Sequence, residues 1–186
     1  MSIIAYLGST VNEYGENGKA MLAALQVRCA NHPSEIMAFH DTYTRKIKET
    51  GDKVVIHILI CHTCRKTSAV LPDFLLPNKH YSANEIESVI MQAADGVGVY
   101  DIDTPASVPT IRRWLGEMTD ADGKLQAWVS GLKTLAIDKG CAISEIIMAE
   151  LPLIEQLGKF VHALPKIRFS GNLLGFAGIY LSGRSP

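Results

Sequence analysis

The chain has 186 residues, 47% of them hydrophobic and 20% charged, and a formal net charge of −1. This composition excludes a disordered chain and a uniformly basic nucleic-acid coat, so any contact with nucleic acid must rest on a local patch. The length suffices for one sizeable core, or for a small metal-stapled unit beside a helical one. No apolar run approaches the roughly 18–20 residues that span a bilayer. The greasiest late stretch, residues 173–181, is short and carries Gly175 and Gly178. The N-terminal residues lack the basic region and long apolar region of a secretion signal, so a cytoplasmic location is expected. Four cysteines in such a chain are read as free thiols or metal ligands, not as a disulfide frame.

Residues 1–18 are rich in turn formers and yield no element. Residues 19–28, with Met21, Leu22 and Leu25, suit a short helix or an incoming strand. Two β-like segments follow, 35–48 and 53–61, joined at Glu49-Thr50-Gly51-Asp52, which has the residues a hairpin turn favours. The stretch 54–60 is dense in β-branched side chains, the composition of a buried strand. Pro72 and Pro77 exclude a helix across 71–77, and this segment is expected to be an extended connector packed on the next unit.

Ser82 and Glu85 form the capping-box pattern of a helix start, with Tyr81 and Ile86 placed as a hydrophobic staple. Ile86, Val89, Ile90, Ala93 and Ala94 then mark one buried face, and Gly96 is the natural stop. A second helix is expected after Ser107, with Pro109 tolerated in its first turn and Ile111, Trp114, Leu115 and Met118 facing inward. A third follows from Leu125 to a stop at Gly140. A fourth is expected from Ser144, kinked or split at Pro152. The tail from Lys166 is punctuated by Gly and Ser. No internal repeat is visible.

Cys61-His62-Thr63-Cys64 lies at the end of the β-branched run. Two thiols three positions apart in a turn aim both sulfurs at one point, which suits a metal knuckle. Cys29 and His32 supply a second pair, with the hairpin between them and the first. The set Cys29, His32, Cys61, Cys64 is therefore the expected ligand set of a structural Zn2+ in a ribbon-like unit. His40, His57 and His62 compete for the fourth position. Neither pair is followed by the glycine that eases a tight knuckle, since Pro33 and Arg65 stand there. The plain alternative is a set of reduced cysteines without a metal. A redox pair is the third reading, but such a thiolate prefers a helix N-terminus, and Cys61 ends a β-rich run. Cys141 is read as a packing residue.

The segment from Ser107 to Trp114 has the form of a recognition helix: small polar residues at its start, arginines for phosphates or guanine edges, and an aromatic at its back. Thr110, Arg112 and Arg113 are the candidate DNA contacts. Periodicity alone favours an ordinary amphipathic helix with two solvated arginines. Local charge leans the other way, because residues 41–66 hold Arg45, Lys46, Lys48, Lys53, Arg65 and Lys66 against Asp41, Glu49 and Asp52. Against DNA stand Glu85, Glu87, Asp95, Asp101 and Asp103. The two loop aspartates are read as capping or solvated groups.

Residues 58–114 carry Cys61 and Cys64, the segment Leu71-Pro72-Asp73-Phe74-Leu75-Leu76-Pro77, Tyr81-Ser82, and Thr110-Ile111-Arg112-Arg113-Trp114. In this pattern the chain resembles an uncharacterised bacterial family of unknown function, similar to insertion-sequence transposase N-termini. The resemblance reaches over about residues 27–118 and implies nucleic-acid binding by analogy. It departs from the family at His32, where a second cysteine would be usual. It departs again at 99–106, where a full helix-turn-helix would hold another helix.

The expected fold is α+β: a small N-terminal zinc-ribbon-like β-hairpin unit followed by a helical, helix-turn-helix-like bundle. The expected divisions are 1–26, 27–78 with the Leu-Pro connector, 79–165, and a tail from 166. The expected function is non-catalytic DNA binding with a structural zinc. The rival is a zinc-ribbon protein-interaction module, with a homo-oligomer or protein partner docked through the C-terminal helices. No membrane role is expected, and no catalytic acidic triad is visible.

Overall fold

A computed structural model describes residues 2–8, 10–120, 123–138, 150–163, 173–175 and 177. The fold is α+β. Its strands are β1 (Ser2–Ala5), β2 (Ala38–Lys46), β3 (Lys53–Ile60) and β4 (Thr67–Pro72). Among the described residues its main helices are α1 (Val11–Ala24), α2 (Ala83–Ala94), α3 (Val108–Thr119), α4 (Lys124–Asp138) and α5 (Leu153–Ala163). The sheet is mixed, in the order β1-β4-β3-β2, with β1 parallel to β4 and the other pairs antiparallel.

The stretch 1–18, which yielded no element from its sequence, contains β1 and the start of α1. Gly15 and Gly18 dilute the helical signal, since each costs about 1 kcal/mol against alanine in a helix interior. The start is nonetheless capped: Thr10 Oγ1 accepts from the Glu13 amide at 3.1 Å, as an N-cap threonine should. Gly18 has a packing reason. Tyr14 lies along its own helix over Gly18, and its hydroxyl donates to the Val55 carbonyl of β3 at 2.7 Å. Its ring meets Phe74 edge-on, with centroids 6.1 Å apart. Burial and the nearby Tyr43 push the Tyr14 hydroxyl up to about 12, so it stays a donor.

The hairpin falls where expected. The pairing of His57 with Val70 and of Val70 with Ile3 puts these three on one face, and α1 reaches that face through Tyr14. Ile56 and Leu71 fall on the other by alternation and are fully buried. The Leu-Pro segment departs from expectation. Its first two residues end β4, and the chain then turns, with the Leu75 amide donating to the Pro72 carbonyl at 2.9 Å. A proline is tolerated at a strand end, where its missing N–H breaks no ladder. Leu71, Phe74 and Leu75 belong to the sheet's core and only Leu76 to the helical core. The segment is thus a seam between two cores, not a strap on the second alone. Ile4 of β1 joins the helical core while its neighbours Ile3 and Ala5 join the sheet's.

α2 starts at Ser82, whose Oγ accepts from the Glu85 amide at 3.2 Å. The reciprocal half of the capping box is made by another residue: the Ser82 amide donates to Glu49 Oε1 of the β2–β3 turn at 2.7 Å, and Glu85 Oε1 instead accepts from Thr104 Oγ1 at 2.5 Å. Ile86, Val89 and Ile90 are buried, and Gly96 (φ +87°) takes the left-handed stop. Burying each of those aliphatic side chains contributes about 1.5–3 kcal/mol, so packing fixes α2 more than its cap does. Tyr81 packs edge-on against Trp114 of α3, with centroids 4.9 Å apart. The inward stripe of α3 is Ile111, Trp114 and Met118, with Leu115 partly buried. Leu125, Val129 and Leu132 of α4 are buried. α5 begins after Pro152, whose carbonyl accepts from the Glu155 and Gln156 amides. The expected helix start at Ser144, the Gly140 stop and Cys141 lie outside the described residues.

Candidate functional site

The Cys29/His32 pair and the Cys61/Cys64 pair sit on tight turns at one end of the sheet. The first is in the loop between α1 and β2. The Cys29 amide donates to the Glu35 carbonyl at 3.0 Å and the Glu35 amide to the His32 carbonyl at 2.9 Å. An antiparallel bridge between Arg28 and Ile36 closes the loop's base. The second pair is the β3–β4 turn, where the Cys61 amide donates to the Lys66 carbonyl at 3.0 Å and the Arg65 amide to the Cys61 carbonyl at 2.8 Å. Arg65 takes φ +58°, the left-handed conformation that glycine would adopt without cost. The turn geometry persists with an arginine in the glycine's place.

These turns bring all four predicted ligands together. Cys29 Sγ lies 3.7 Å from Cys64 Sγ, and His32 Nδ1 lies 3.6 Å from Cys61 Sγ and 4.0 Å from Cys29 Sγ. The ligand atoms of Cys29, His32, Cys61 and Cys64 all fall within 4.8 Å of one another, a group that could hold a metal ion. Cys29 and Cys61 are buried, and His32 and Cys64 are half-buried. Burial pushes the Cys61 thiol up. Burial acts on Cys29 as well, but the Asn31 and His32 amides and the Cys61 and His32 side chains outweigh it and pull that thiol below its usual range. Three sulfurs packed this closely repel one another once ionised, and a cation at their centre would remove that repulsion.

The competing histidines fall elsewhere. His57 lies in the sheet between the rings of Tyr14 and Phe39, and burial, with Lys19 nearby, lowers its pKa. His40 is exposed at the bulge of β2. His62 is exposed within the knuckle.

One residue of the site was not legible in the sequence. The Glu35 carboxylate reaches from the first turn to the second, where Oε1 accepts from the His62 amide at 2.8 Å and the Thr63 amide at 3.2 Å. Its other oxygen accepts from the Thr63 hydroxyl. The Thr63 hydroxyl above all, against some desolvation, holds this carboxyl down at about 2. Glu35 therefore latches the two knuckles together without belonging to the ligand group. Nothing in its spacing announces that role, because its partners are backbone amides almost thirty residues away.

The candidate contacts on α3 are placed as follows. Thr110 Oγ1 lies 3.0 Å from Ser107 Oγ. Arg112 is exposed, lies over the Tyr100 ring at 5.5 Å from its centroid, and donates to the Tyr100 hydroxyl at 2.8 Å. Arg113 is exposed, 3.9 Å from Glu117 one turn later. Trp114 is buried behind them. Residues 95–107 separate α2 from α3, more than the three or four residues of a helix-turn-helix turn. Residues 99–106 contain turns and bends and no further helix. Asp101 and Asp103 are exposed there, and the Asp103 backbone is clamped by the Gln92 side chain.

The molecule is thus an α+β protein with a cysteine–histidine group suited to a metal. Residues 29–114 match the model of a family described as a domain of unknown function (DUF6431). The match opens on the first candidate ligand and closes on Trp114, so it takes in both knuckles, the Leu-Pro seam and the first half of α3. It agrees with the resemblance to an uncharacterised family and says nothing of ribbons or transposases. No curated protein and no solved structure matches the chain. Among the described residues no helix is long and apolar enough to cross a membrane.

Proposed function

We propose that this is a non-catalytic DNA-binding protein, akin to transposase or regulatory N-terminal domains, whose two turns are stapled by a structural zinc. The observation that carries the zinc is the spacing of the ligand atoms. With Zn–S about 2.3 Å and Zn–N about 2.0–2.1 Å, a tetrahedral site needs S···S near 3.8 Å and S···N near 3.6 Å. The separations of 3.7 and 3.6 Å meet those edges, and 4.0 Å is close to them. Three thiolates and one imidazole are also a donor set that favours zinc over hard cations. With all four positions filled by protein, the ion would staple the fold and leave no coordination site for substrate.

Support for DNA comes from α3. Its buried stripe of Ile111, Trp114 and Met118 leaves Arg112 and Arg113 exposed, and the Tyr100 hydroxyl and ring steady the first of them. The test is metal content of the purified protein, followed by binding to random-sequence duplex over a salt range. One zinc per chain and a salt-dependent affinity that falls in Arg112→Ala/Arg113→Ala support the reading. A double variant with full and equally salt-sensitive affinity would remove α3 from the interface.

A second reading, a zinc-ribbon module that docks a protein, has one observation of its own. Phe39 (60% exposed), Val55 (48%) and Ile36 (46%) stand open around edge strand β2 and its neighbour. Zinc at one per chain with no duplex binding at low salt would favour it.

A further inference from the structure

We propose that Arg113 and Lys124 together form a phosphate clamp for the backbone of duplex DNA, and that Lys79 is the positioning residue that keeps it open. The proposal rests on the DNA-binding reading and adds to it two residues outside the recognition-helix pattern. The Glu117 carboxylate on α3 is met by three cations from three parts of the chain. Lys79, two residues beyond the Leu-Pro seam, hydrogen-bonds to it and is only 5% exposed. Arg113 Nε stands 3.9 Å from Oε1, and Lys124 Nζ, at the start of α4, stands 3.8 Å from Oε2.

The two longer separations lie beyond the 2.7–3.2 Å of an N–H···O hydrogen bond. Arg113 and Lys124 are therefore held near Glu117 by attraction while their N–H groups are not spent on it. Both face solvent, at 61% and 51% exposure. Three cations around one carboxylate leave positive charge in excess, and the two solvent-facing members carry it. Lys79 makes this possible. Its buried ammonium neutralises Glu117 from behind, where desolvation strengthens the pairing. Without it the carboxylate would draw Arg113 and Lys124 inward and repel a phosphate. The donors would touch backbone oxygens and no base edge, so the contribution is independent of sequence.

The experiment is a titration of labelled random-sequence duplex at several salt concentrations between about 50 and 200 mM. It uses the zinc-loaded wild type, Lys124→Ala, Lys79→Met and Lys79→Met/Glu117→Gln. Lys124→Ala is expected to weaken binding equally on unrelated sequences and to reduce the slope of log K against log salt by about 1. Lys79→Met is expected to lower affinity at an unchanged melting temperature, and the added Glu117→Gln to restore it; an affinity that only followed the melting temperature across these variants would reduce Lys79 to a structural role and overturn its part in the clamp. A Lys124→Ala variant with wild-type affinity and slope would overturn the clamp while leaving DNA binding standing. A wild type that binds no duplex would overturn the DNA-binding reading and the clamp with it. Lys124 is exposed, so its variant decides the matter even if Lys79→Met does not fold.

Discussion

Gly18→Ala is a substitution that helix propensity and tertiary packing judge with opposite signs. Propensity alone makes it stabilising by about 1 kcal/mol, because alanine is the better helix former and restricts the unfolded chain. The structure predicts the reverse. A β-carbon on Gly18 would lie 2.5 Å from Tyr14 Cδ2 and 2.7 Å from Cε2, well inside van der Waals contact. The ring cannot swing aside freely, since its hydroxyl is bonded to the Val55 carbonyl and its edge meets Phe74. Overpacking of this kind costs about 1–3 kcal/mol, and displacing the ring puts about 1 kcal/mol of hydrogen bond at risk. Against the propensity gain the net effect is destabilisation by roughly 1–3 kcal/mol. The assay is urea unfolding of the wild type, Gly18→Ala, Tyr14→Ala and the double variant. In the Tyr14→Ala background the obstacle is gone, so Gly18→Ala should turn stabilising, by about 0.5–1 kcal/mol. The same sign in both backgrounds would refute the packing argument.

Three further outcomes are expected. His32→Ala should weaken zinc binding by more than the roughly 10–100-fold typical of losing an outer-shell partner; unchanged affinity in a chelator competition would show the ligand set to be wrong. Arg65→Gly should leave thermal stability unchanged or raise it by up to about 1 kcal/mol, since glycine takes φ +58° without the penalty of a side chain; a loss of more than that would mean the Arg65 side chain itself holds the knuckle. Glu117 gives a pH dependence. The Lys79 hydrogen bond, followed by the charges of Lys79, Lys124 and Arg113, holds its carboxyl below the ordinary range. The unfolded chain therefore binds the proton first as pH falls, and the stabilisation, complete above the unfolded value near about 4.3, is lost as pH drops through the folded one. The melting-temperature gap between wild type and Glu117→Gln should hold from neutral pH down to about 4.3 and close as pH falls below it, and a gap that stayed constant would disprove the assignment.

Which parts of this could be read from the sequence follows from the range of the forces involved. The β2–β3 hairpin, the start of α2 at Ser82 and its stop at Gly96, and the buried stripe of α3 are set by neighbours within a turn or two, so their residues announce them. The pairing of Cys29 and His32 with Cys61 and Cys64 was also legible, because two chelating pairs on either side of a hairpin have one natural meeting point. Other features depended on chain segments meeting. β1 is too short to declare itself without β4 beside it, and α1 is masked by Gly15 and Gly18, the second of which makes room for the Tyr14 ring. The Leu-Pro segment divides its leucines between two cores, a split that no periodicity encodes. Glu35 closes on amides of the opposite turn, and Lys79 reaches a carboxylate on α3. The residue types that could hold a metal or a phosphate were determined by the sequence; which carboxylate is neutralised, which cation is left exposed and which turn is latched were decided by tertiary packing, because those charges act across space on partners far away along the chain.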